Sequence, residues 1–232
     1  MLWFLFRVSP PPGRLRVLAM EPTHWSLSRT RAVVDRCSAA LLSLLTLPLL
    51  VPCLVISAVR FRANPIFRQE RVGLDQQTFL LPKIRSLPRT TSTTLDKYTL
   101  NTVTHGRWTR LLRRSHIDEL PQLWSVAAGN MSLVGPRPEM VALSSTFDPD
   151  FVKMRTSVLP GMTGAWQISE ASAELINESP EYDRIYVESA SAKLDLWILL
   201  RTIQIFGSGN VITLVDLKER ADHKTQHNLI GG

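Results

Sequence analysis

The feature that most limits how this chain can fold is an uncharged stretch of 23 residues, Cys37–Val59. About 20 apolar residues in a helix are enough to span the hydrocarbon core of a bilayer. Pro48 and Pro52 fall inside the stretch, where each proline removes a backbone N–H and clashes with the preceding turn. The sequence therefore predicts a membrane-embedded helix that is broken near Pro48.

Arginines flank this stretch on both sides, which argues against a simple crossing. They are Arg29, Arg31 and Arg36 before it, and Arg60, Arg62, Arg68 and Arg71 after it. Because Lys and Arg concentrate on the cytoplasmic side of membrane helices, neither end is expected to cross. A re-entrant helix-hairpin over residues 31–62, which leaves on the side where it entered, satisfies both observations. An ordinary single-pass anchor is the alternative.

The charge of the whole chain indicates an acidic partner. A net charge of +7 suits nucleic acid, anionic membrane lipids or a phosphorylated substrate. Nucleic acid is not predicted, because the sequence has neither a Cys/His finger spacing nor aromatic residues interleaved with basic ones. Cys37 and Cys53 lie in or at the apolar stretch, which is more typical of small hydrophobic side chains than of a disulfide or zinc site.

Residues 63–210 carry the patterns of a small cytosolic catalytic domain, mainly α with minor β. Short apolar runs at 66–73 and 78–86, punctuated by Gly and Pro, are consistent with a strand pair or with irregular wrapping. Residues 88–104 are rich in Thr and Ser and predict a loop. Residues 107–127 predict a helix.

The two ends of the chain carry weaker signals. Residues 1–30 are interpreted as a non-catalytic extension, and residues 211–232 as a polar C-terminal tail. Leu194–Phe206 is too short to cross a membrane, so it predicts either an amphipathic helix on the membrane surface or a buried core helix. His223 and His227 are spaced to share a helix face, but a polar tail rarely makes a metal site, so none is expected there.

Two adjacent carboxylates, Asp118 and Glu119, follow a series of arginines. If this segment is helical, Arg110, Arg114 and Asp118 lie at i, i+4 and i+8 on one face. An anionic nucleophile beside cationic groups suits attack on a phosphorus centre. The pattern therefore predicts an enzyme that acts on a phosphorylated substrate.

These residues belong to an ordered series of motifs. The series comprises Arg31–Asp35, Pro48, Pro65–Phe67 with Gln69–Gly73, Lys83–Ser86, Leu112–Arg114 leading to Asp118–Leu123, Gly135–Pro138, Pro160–Gly164 with Gln167, and Asp183 with Tyr186-Val187. In this order the chain resembles bacterial sugar transferases of the monotopic phosphoglycosyl transferase superfamily. The resemblance extends from about Arg31 to Gly209.

The resemblance implies both an activity and a location. Enzymes of this superfamily move a sugar 1-phosphate from a nucleotide sugar, usually a UDP-sugar, to polyprenyl (undecaprenyl) phosphate. They work at the cytoplasmic face of the bacterial inner membrane and begin lipid-linked O-antigen, capsule, exopolysaccharide or glycoprotein glycans. Their membrane element is a re-entrant helix, in agreement with the charges that flank Cys37–Val59.

The expected mechanism is covalent. Asp118 attacks the β-phosphorus of the nucleotide sugar, and the polyprenyl phosphate then resolves the aspartyl phospho-sugar. Glu119 is the expected ligand of Mg²⁺, which binds proteins through one or two carboxylates together with substrate phosphates. Arg113, Arg114 and Arg137 are expected to grip phosphates, because the arginine fork pairs with them in two places.

Four further residues are carried as candidates for substrate binding. Lys83 and Arg85 are expected to help bind the nucleotide, with ordinary surface charge as the alternative. Gln167 and Asp183 follow from the resemblance, and a structural helix cap is the alternative for Asp183. His116 departs from the Ser or Thr that is usual at its position and is expected to alter the pH response of the carboxylates.

A non-catalytic basic membrane adaptor is the alternative function. Arginines such as Arg107 and Arg110 would then hold anionic headgroups, at about 1 kcal/mol each. That alternative explains the charge and the apolar stretch, but it gives no role to Asp118 and Glu119 or to the two Gly-Pro turns that follow them, Gly135–Pro138 and Pro160–Gly164.

Overall fold

The computed structural model describes residues 22–88 and 106–227. The predicted loop at 88–104 therefore lies outside the described residues except for residue 88, as do residues 1–21 of the extension and 228–232 of the tail. The helices are α1 (Arg29–Phe61), α2 (Arg107–Arg114), α3 (Gln122–Ala128), α4 (Val141–Ser144), α5 (Pro149–Arg155), α6 (Glu181–Ser189), α7 (Ala192–Ser208) and α8 (Leu214–His227). The strands are β1 (Ile66–Val72), β2 (Thr78–Ile84), β3 (Ser132–Val134) and β4 (Gly161–Thr163). The prediction of a mainly helical protein with minor strand content is confirmed.

The apolar stretch forms one helix, α1, of 33 residues. It begins at the N-cap Ser28, whose side chain accepts a hydrogen bond from the Arg31 N–H, and it ends at Arg62 in a left-handed conformation. Pro48 and Pro52 both lie inside it. The predicted break near Pro48 is not confirmed, because the backbone stays helical through both prolines, as it does around many prolines in membrane helices, where neighbouring groups compensate for the lost hydrogen bond.

Both ends of α1 pack against the rest of the protein. Ala39, near the beginning, is fully buried in a cluster with Leu123 and Val126 of α3. Near the end, Leu50 and Cys53 join a cluster with Leu112 and Ile84. Between these two contacts the leucines are exposed: Leu41, Leu42, Leu44, Leu45, Leu47 and Leu49.

By length and composition α1 is able to cross a membrane, and only 17% of its most apolar window is buried inside the protein. It is the one such helix in the described ranges. Exposed apolar surface of this extent on a soluble protein marks an interaction or membrane site. A membrane-associated protein is the simplest account of it.

The two apolar runs after α1 form an antiparallel hairpin, so the predicted strand pair is confirmed. β1 and β2 pair in a register that places Ile66 opposite Ile84 and Val72 opposite Thr78. Side chains alternate between the two faces of a strand. Leu81 thus points into the cluster with α3, while Lys83, two residues on, projects along the same face.

The largest core lies between α5, α6, α7 and α8. Tyr186, Ile198, Ile212 and Leu217 are essentially inaccessible to solvent. Part of the segment interpreted as a polar C-terminal tail therefore forms the helix α8, Leu214–His227. Leu214 and Leu217 pack against the core, whereas Val215 is exposed and most of the other residues are polar.

The predicted helix at 194–206 combines both of its alternatives. Leu194 and Ile198 of α7 are buried in the core. On another face of the helix, Leu196, Leu200 and Ile203 are exposed, at i, i+4 and i+7. An apolar stripe at this spacing covers one side of a helix. α7 therefore has one apolar side in the core and a second at the surface.

The two Gly-Pro turns meet through a short parallel pair of strands, β3 and β4. A Cβ added to Gly161 would lie 2.0 Å from the Gly135 nitrogen, and one added to Gly164 would lie 2.1 Å from the Gly135 oxygen. No real side chain tolerates such distances. These glycines therefore serve backbone geometry, in agreement with the sequence interpretation of Pro160–Gly164.

Candidate active site

The adjacent carboxylates lie on a turn and not on a long helix. α2 ends at Arg114, His116 adopts a left-handed conformation (φ 54°), and Ile117–Glu119 form a single 3-10 turn. The predicted continuous helix over 107–127 is therefore wrong. A positive φ cannot be part of a right-handed helix, and His is among the residues that tolerate it best.

Asp118 is buried, with 8% of its surface exposed. Burial raises the pKa of its carboxyl to about 6, and the neighbouring Glu119 adds to the rise. The cations Lys83, His116 and Arg113 oppose the shift and only partly cancel it. Asp118 is thus a carboxylate that ionises close to neutral pH, in a site lined by positive charge.

Glu119 has the opposite character. Its Oε1 accepts a hydrogen bond from Lys83 Nζ at 2.7 Å and lies 3.5 Å from Arg137 NH2, while its Oε2 lies 4.0 Å from His116 Nδ1. Burial by itself raises the pKa of Glu119, but these cations outweigh burial and hold the pKa well below its usual value. Glu119 is therefore a permanent negative charge.

Neighbouring carboxyl groups whose pKa values are pushed apart are a mark of divided chemical roles. The charged Glu119 neutralises the cations at the base of the site. Asp118 is the more basic carboxylate, and basicity in an anionic oxygen favours bonding to phosphorus. The arrangement suits a nucleophilic Asp118 supported by a charge-holding Glu119.

Three of the predicted cations converge on this pair from separate elements. Lys83 comes from β2, Arg113 from the last turn of α2, and Arg137 from the turn after β3. Arg113 Nε donates to Ser86 Oγ at 3.5 Å. Burial lowers the pKa of Arg113, and the charge of Asp118 opposes that shift, which places the guanidinium in the electrostatic field of the carboxylate.

Arg114 and Arg85 have other surroundings. Arg114 is exposed and is the last residue of α2. Because the helix ends there, Arg114 and Asp118 do not share the i, i+4 relation that a continuous helix would have given them. Arg85 Nε donates to the Asn64 carbonyl at 2.8 Å, and its guanidinium lies over the Phe67 ring, 5.6 Å from the centroid. Arg85 therefore contacts the hairpin and the segment just before it, and not the carboxylates.

Gln167 lies in the turn after β4. Its Nε2 donates to the Met162 carbonyl at 3.0 Å. Its Oε1 is buried and has no hydrogen-bond partner in the described part of the chain. A buried acceptor without a donor costs free energy, about 1–3 kcal/mol. A ligand that donates there would recover it.

Asp183 is a buried support and not an open binding group. It is 2% exposed and accepts a hydrogen bond from Arg155 Nε at 3.0 Å. Burial raises the pKa of Asp183, and the Arg155 charge opposes the rise. Arg155 in turn donates to the backbone carbonyl of Arg137 at 2.7 Å. Asp183 therefore reaches the site through two other residues.

The sequence interpretation gave no role to Arg71, Glu139 or Arg155, which lie directly behind Arg137. Arg71 NH1 lies 3.6 Å from Glu139 Oε2, and burial lowers the pKa of Arg71 to about 10 even though Glu139 opposes the shift. Arg71 was named in the sequence only as one of the arginines that flank the apolar stretch and as part of the motif Gln69–Gly73. Arg155 is the last residue of α5, and no signal in the sequence separates it from a surface charge.

The carboxylates also fit the chemistry of Mg²⁺. In the described residues no group of three or more His, Cys, Asp or Glu side chains is gathered as a complete metal cage. Mg²⁺ does not need one, because it binds through one or two carboxylates and fills its remaining positions with water and substrate phosphates. Asp118 and Glu119 supply such a pair beside cations that would hold the phosphates.

The comparisons with known proteins agree with this geometry. Residues 27–209 match the family described as bacterial sugar transferase. The chain is 35% identical over 185 residues to the UDP-galactose-lipid carrier transferase of Erwinia amylovora, a match that covers 71% of this chain and 38% of the relative. It is 30% identical over 199 residues to the UDP-N-acetylgalactosamine-undecaprenyl-phosphate N-acetylgalactosaminephosphotransferase of Aeromonas hydrophila, covering 77% and 44%.

A shorter relative is covered more completely. The chain is 33% identical over 182 residues to the UDP-glucose:undecaprenyl-phosphate glucose-1-phosphate transferase of Caulobacter vibrioides, covering 75% of this chain and 68% of that protein. The chain thus spans about two fifths of the first two relatives and two thirds of the third. The family match, residues 27–209, includes the carboxylate pair and the residues around it.

Proposed function

Because the chain belongs to the bacterial sugar transferase family, we propose that it transfers a sugar 1-phosphate from a UDP-sugar to polyprenyl (undecaprenyl) phosphate. The relatives described above are named for sugar or sugar-phosphate transfer to lipid carriers, the last two to undecaprenyl phosphate. The observation that carries the proposal is the buried Asp118, whose pKa is raised to about 6 beside a cation-held Glu119. An adaptor has no use for such a pair.

In the first step the ionised Asp118 carboxylate attacks the β-phosphorus of the UDP-sugar. A bond forms between Asp118 Oδ and phosphorus, and the bond from phosphorus to the bridging oxygen breaks. UMP leaves with that electron pair. The sugar 1-phosphate is then held on Asp118 as an acyl phosphate, with no proton transferred.

In the second step an oxygen of the polyprenyl phosphate attacks the same phosphorus. The acyl phosphate bond breaks, the Asp118 carboxylate is restored, and polyprenyl diphosphate-sugar is released. Both steps place negative charge on phosphoryl oxygens. Lys83, Arg113 and Arg137 are the cations next to the carboxylates that would stabilise it.

Glu119, next to the nucleophile Asp118, is the proposed ligand of Mg²⁺. When bound there the ion would neutralise charge on the phosphoryl oxygens. Glu119 Oε1 is taken by Lys83 and Arg137, and its Oε2 faces His116. Gln167 is proposed from its motif as a contact of the UDP-sugar, and its buried Oε1 could accept from the sugar nucleotide only if binding uncovers it.

The reaction proposed here is tested by supplying undecaprenyl phosphate and Mg²⁺ with a panel of UDP-sugars. Release of UMP over many turnovers that depends on both the lipid and the metal is the expected result, since without the lipid each enzyme can release only one UMP. An adaptor would release none. The panel also identifies the sugar, on which the geometry of the carboxylate pair imposes no choice.

We place the protein on the cytoplasmic face of the bacterial inner membrane, with α1 as a re-entrant element. Support comes from the two ends of α1, since both contact one small domain: Arg31 donates to the Val134 carbonyl at 2.6 Å, and Trp108 Nε1 donates to Ser57 Oγ at 3.1 Å. A domain that holds both ends of a helix cannot lie on opposite sides of a bilayer. Anionic lipids would pair with the exposed arginines around this face.

Cysteine labelling tests this topology. In a chain with Cys37 and Cys53 replaced by alanine, we introduce Leu27→Cys, at a position where the side chain is 60% exposed, and separately Arg68→Cys, on the exposed side of β1. A membrane-impermeant maleimide is expected to label both positions in inverted vesicles and neither in intact spheroplasts. Labelling of the two positions from opposite sides would establish a single-pass anchor instead.

The pH dependence of turnover should follow Asp118. Since a protonated carboxyl is not a nucleophile, kcat/KM is expected to fall as the pH drops below about 6, approaching tenfold per pH unit. The pKa of Asp118 in the free enzyme determines where this fall begins, because kcat/KM reports ionisations that occur before substrate binds. A profile measured from pH 5 to 8 that stays flat would contradict a titrating Asp118 nucleophile.

A further inference from the structure

The segment Val134–Pro138, which presents Arg137 to the site, has an unusual need for hydrogen-bond donors. Pro136 and Pro138 have no N–H, so the pairing of β3 with β4 does not continue through them. Its backbone carbonyls nevertheless lie in the interior and must find partners. The Gly161 N–H takes one of them, donating to the Pro136 carbonyl at 2.9 Å.

Three arginine side chains supply most of the remaining donors. Arg31 NH2 donates to the Val134 carbonyl at 2.6 Å, and Arg155 NH2 donates to the Arg137 carbonyl at 2.7 Å. Arg71 NH1 donates to the Pro138 carbonyl at 3.2 Å. Four of the five carbonyls from 134 to 138 are thus held, three of them by a guanidinium.

All three arginines are buried, and each has its own acid. Arg31, Arg71 and Arg155 are only 4%, 8% and 4% exposed. Their acidic partners are Asp195 for Arg31 at 3.2 Å, Glu139 for Arg71 at 3.6 Å and Asp183 for Arg155 at 3.0 Å. Removing a charged group from water costs several kcal/mol, which an ion pair and hydrogen bonds only offset. Buried arginine–acid pairs are therefore weak evidence for a role in stability alone.

The arginines reach the segment from three different parts of the fold. Arg31 belongs to the membrane helix α1, Arg71 to the hairpin strand β1, and Arg155 to the core helix α5. The segment between them carries one side chain towards Glu119, that of Arg137, whose NH2 lies 3.5 Å from Glu119 Oε1. Fixing the carbonyls from three directions fixes the backbone from which Arg137 extends.

We infer that Arg31, Arg71 and Arg155 are positioning residues that act through Arg137. We call them the arginine cradle. They hold the Val134–Pro138 backbone so that the Arg137 guanidinium is in place for the phosphates of the UDP-sugar. The inference rests on the proposed function for its kinetic consequence, but its structural part stands on the carbonyl contacts alone.

Arg155→Lys is the sharpest variant for a test. Lysine keeps the positive charge beside Asp183, so no buried acid is left without a cation. It lacks the planar fork that allows Arg155 to contact Asp183 through Nε and the Arg137 carbonyl through NH2 at the same time. Arg184→Lys is the matched control, because Arg184 is next to Asp183 in sequence and exposed on α6.

A double-mutant cycle with Arg137→Ala separates positioning from general damage. Arg155→Lys is expected to lower kcat/KM about tenfold, chiefly through a higher KM for the UDP-sugar, since a displacement of about 1 Å at a binding group has effects of this order or larger. In the Arg137→Ala background the same change is expected to cost less than about twofold, because coupled residues are not additive. Arg184→Lys is expected to match the wild type in both backgrounds.

Hydrogen exchange on the full chain provides a readout that needs no turnover. The peptide that contains Gly135 and Arg137 is expected to exchange faster in Arg155→Lys, and to keep its wild-type rate in Arg137→Ala. The Gly135 N–H, which donates to the Thr163 carbonyl at 2.9 Å, reports on the backbone itself. If the wild type turned over no UDP-sugar, the proposed function would fail, while the exchange result would still decide whether the cradle holds this segment.

Losses in kcat/KM that simply multiply in the double variant would overturn the inference, as would unchanged exchange in the 134–138 region. Arg71→Lys is carried through the same cycle, so a folding defect in one variant leaves the other to decide. Arg71 holds the segment at the Pro138 carbonyl, and its charge also acts on Arg137 through space. Because lysine keeps that charge, a coupling to Arg137 shared by Arg71→Lys and Arg155→Lys would support the backbone that both arginines hold.

Discussion

Asp118→Asn is expected to reduce transfer of the sugar phosphate by at least about ten-thousand-fold, the scale on which loss of a covalent nucleophile is measured in other enzymes. Asparagine has nearly the shape of aspartate, and Asp118 is buried in a protein interior where shape matters. The substitution removes the anionic oxygen and leaves the packing in place. Membrane association and the melting temperature should therefore stay at wild-type values.

The decisive measurement is exchange of labelled UMP into UDP-sugar in the absence of a lipid acceptor. Exchange requires only the first step, so a covalent enzyme performs it and Asp118→Asn does not. Asp150→Asn, an exposed aspartate on α5, is the matched control and should exchange at the wild-type rate. Substantial exchange by Asp118→Asn, or kinetics that require both substrates bound together, would exclude Asp118 as the nucleophile.

Glu119→Gln is expected to lower kcat by roughly 10²–10³-fold, the usual cost of losing one preorganised charged group in a site of this kind. Two effects combine. Glutamine is a weaker ligand for Mg²⁺ than a carboxylate. In the wild type, Lys83 and Arg137 both approach Glu119 Oε1 within 3.5 Å. The substitution leaves these two cations beside a neutral side chain.

Titration of activity with Mg²⁺ separates these effects. If Glu119 holds the metal, the half-maximal Mg²⁺ concentration should rise well above that of the wild type, and high Mg²⁺ should restore part of kcat. Glu70→Gln, which changes an exposed glutamate on β1, serves as the comparison. An unchanged Mg²⁺ titration with a lower kcat would assign Glu119 to holding Lys83 and Arg137 alone.

The hairpin follows from the sequence, whereas the contacts of the cations with Glu119 do not. The hairpin is marked by two short apolar runs between Gly and Pro, a pattern typical of a strand pair, with irregular wrapping as the alternative. Lys83 and Arg137 are far apart along the chain and were named as candidates for substrate binding, with no contact to Glu119 predicted for either. The structure places both within 3.5 Å of it.

The single helix over 107–127 failed because of two local effects that periodicity does not capture. His116 takes a positive φ, and Pro121 follows five residues later at the cap of the next helix. An argument from helical spacing considers only the intervals between apolar and charged residues. It does not detect a single residue with a left-handed backbone conformation, which ends a right-handed helix. Asp118 consequently lies on a tight turn, and Arg114 is not stacked below it.

Buried ion pairs were beyond the reach of sequence patterns for a different reason. Arg155 and Asp183 are separated by 28 residues, and each looks like an ordinary surface charge in its own segment. A charged residue is rarely buried unless it has a partner, and the partner is identified only when the chain has folded. Sequence patterns also missed the packing of α8, where Leu217 is buried in the core although the residues after it are polar.

Arg31 joins α1 to the site by a chain of hydrogen bonds without any loop between them, and this has a mechanical consequence. In the proposed orientation the helix and the catalytic turn move as one solid body. A thicker or thinner bilayer would then be accommodated by tilting that body or by deforming the lipids, at fractions of a kcal/mol per Å of mismatch, and not by bending the site. The height of Asp118 above the acyl chains would thereby be set by the protein and not by the bilayer.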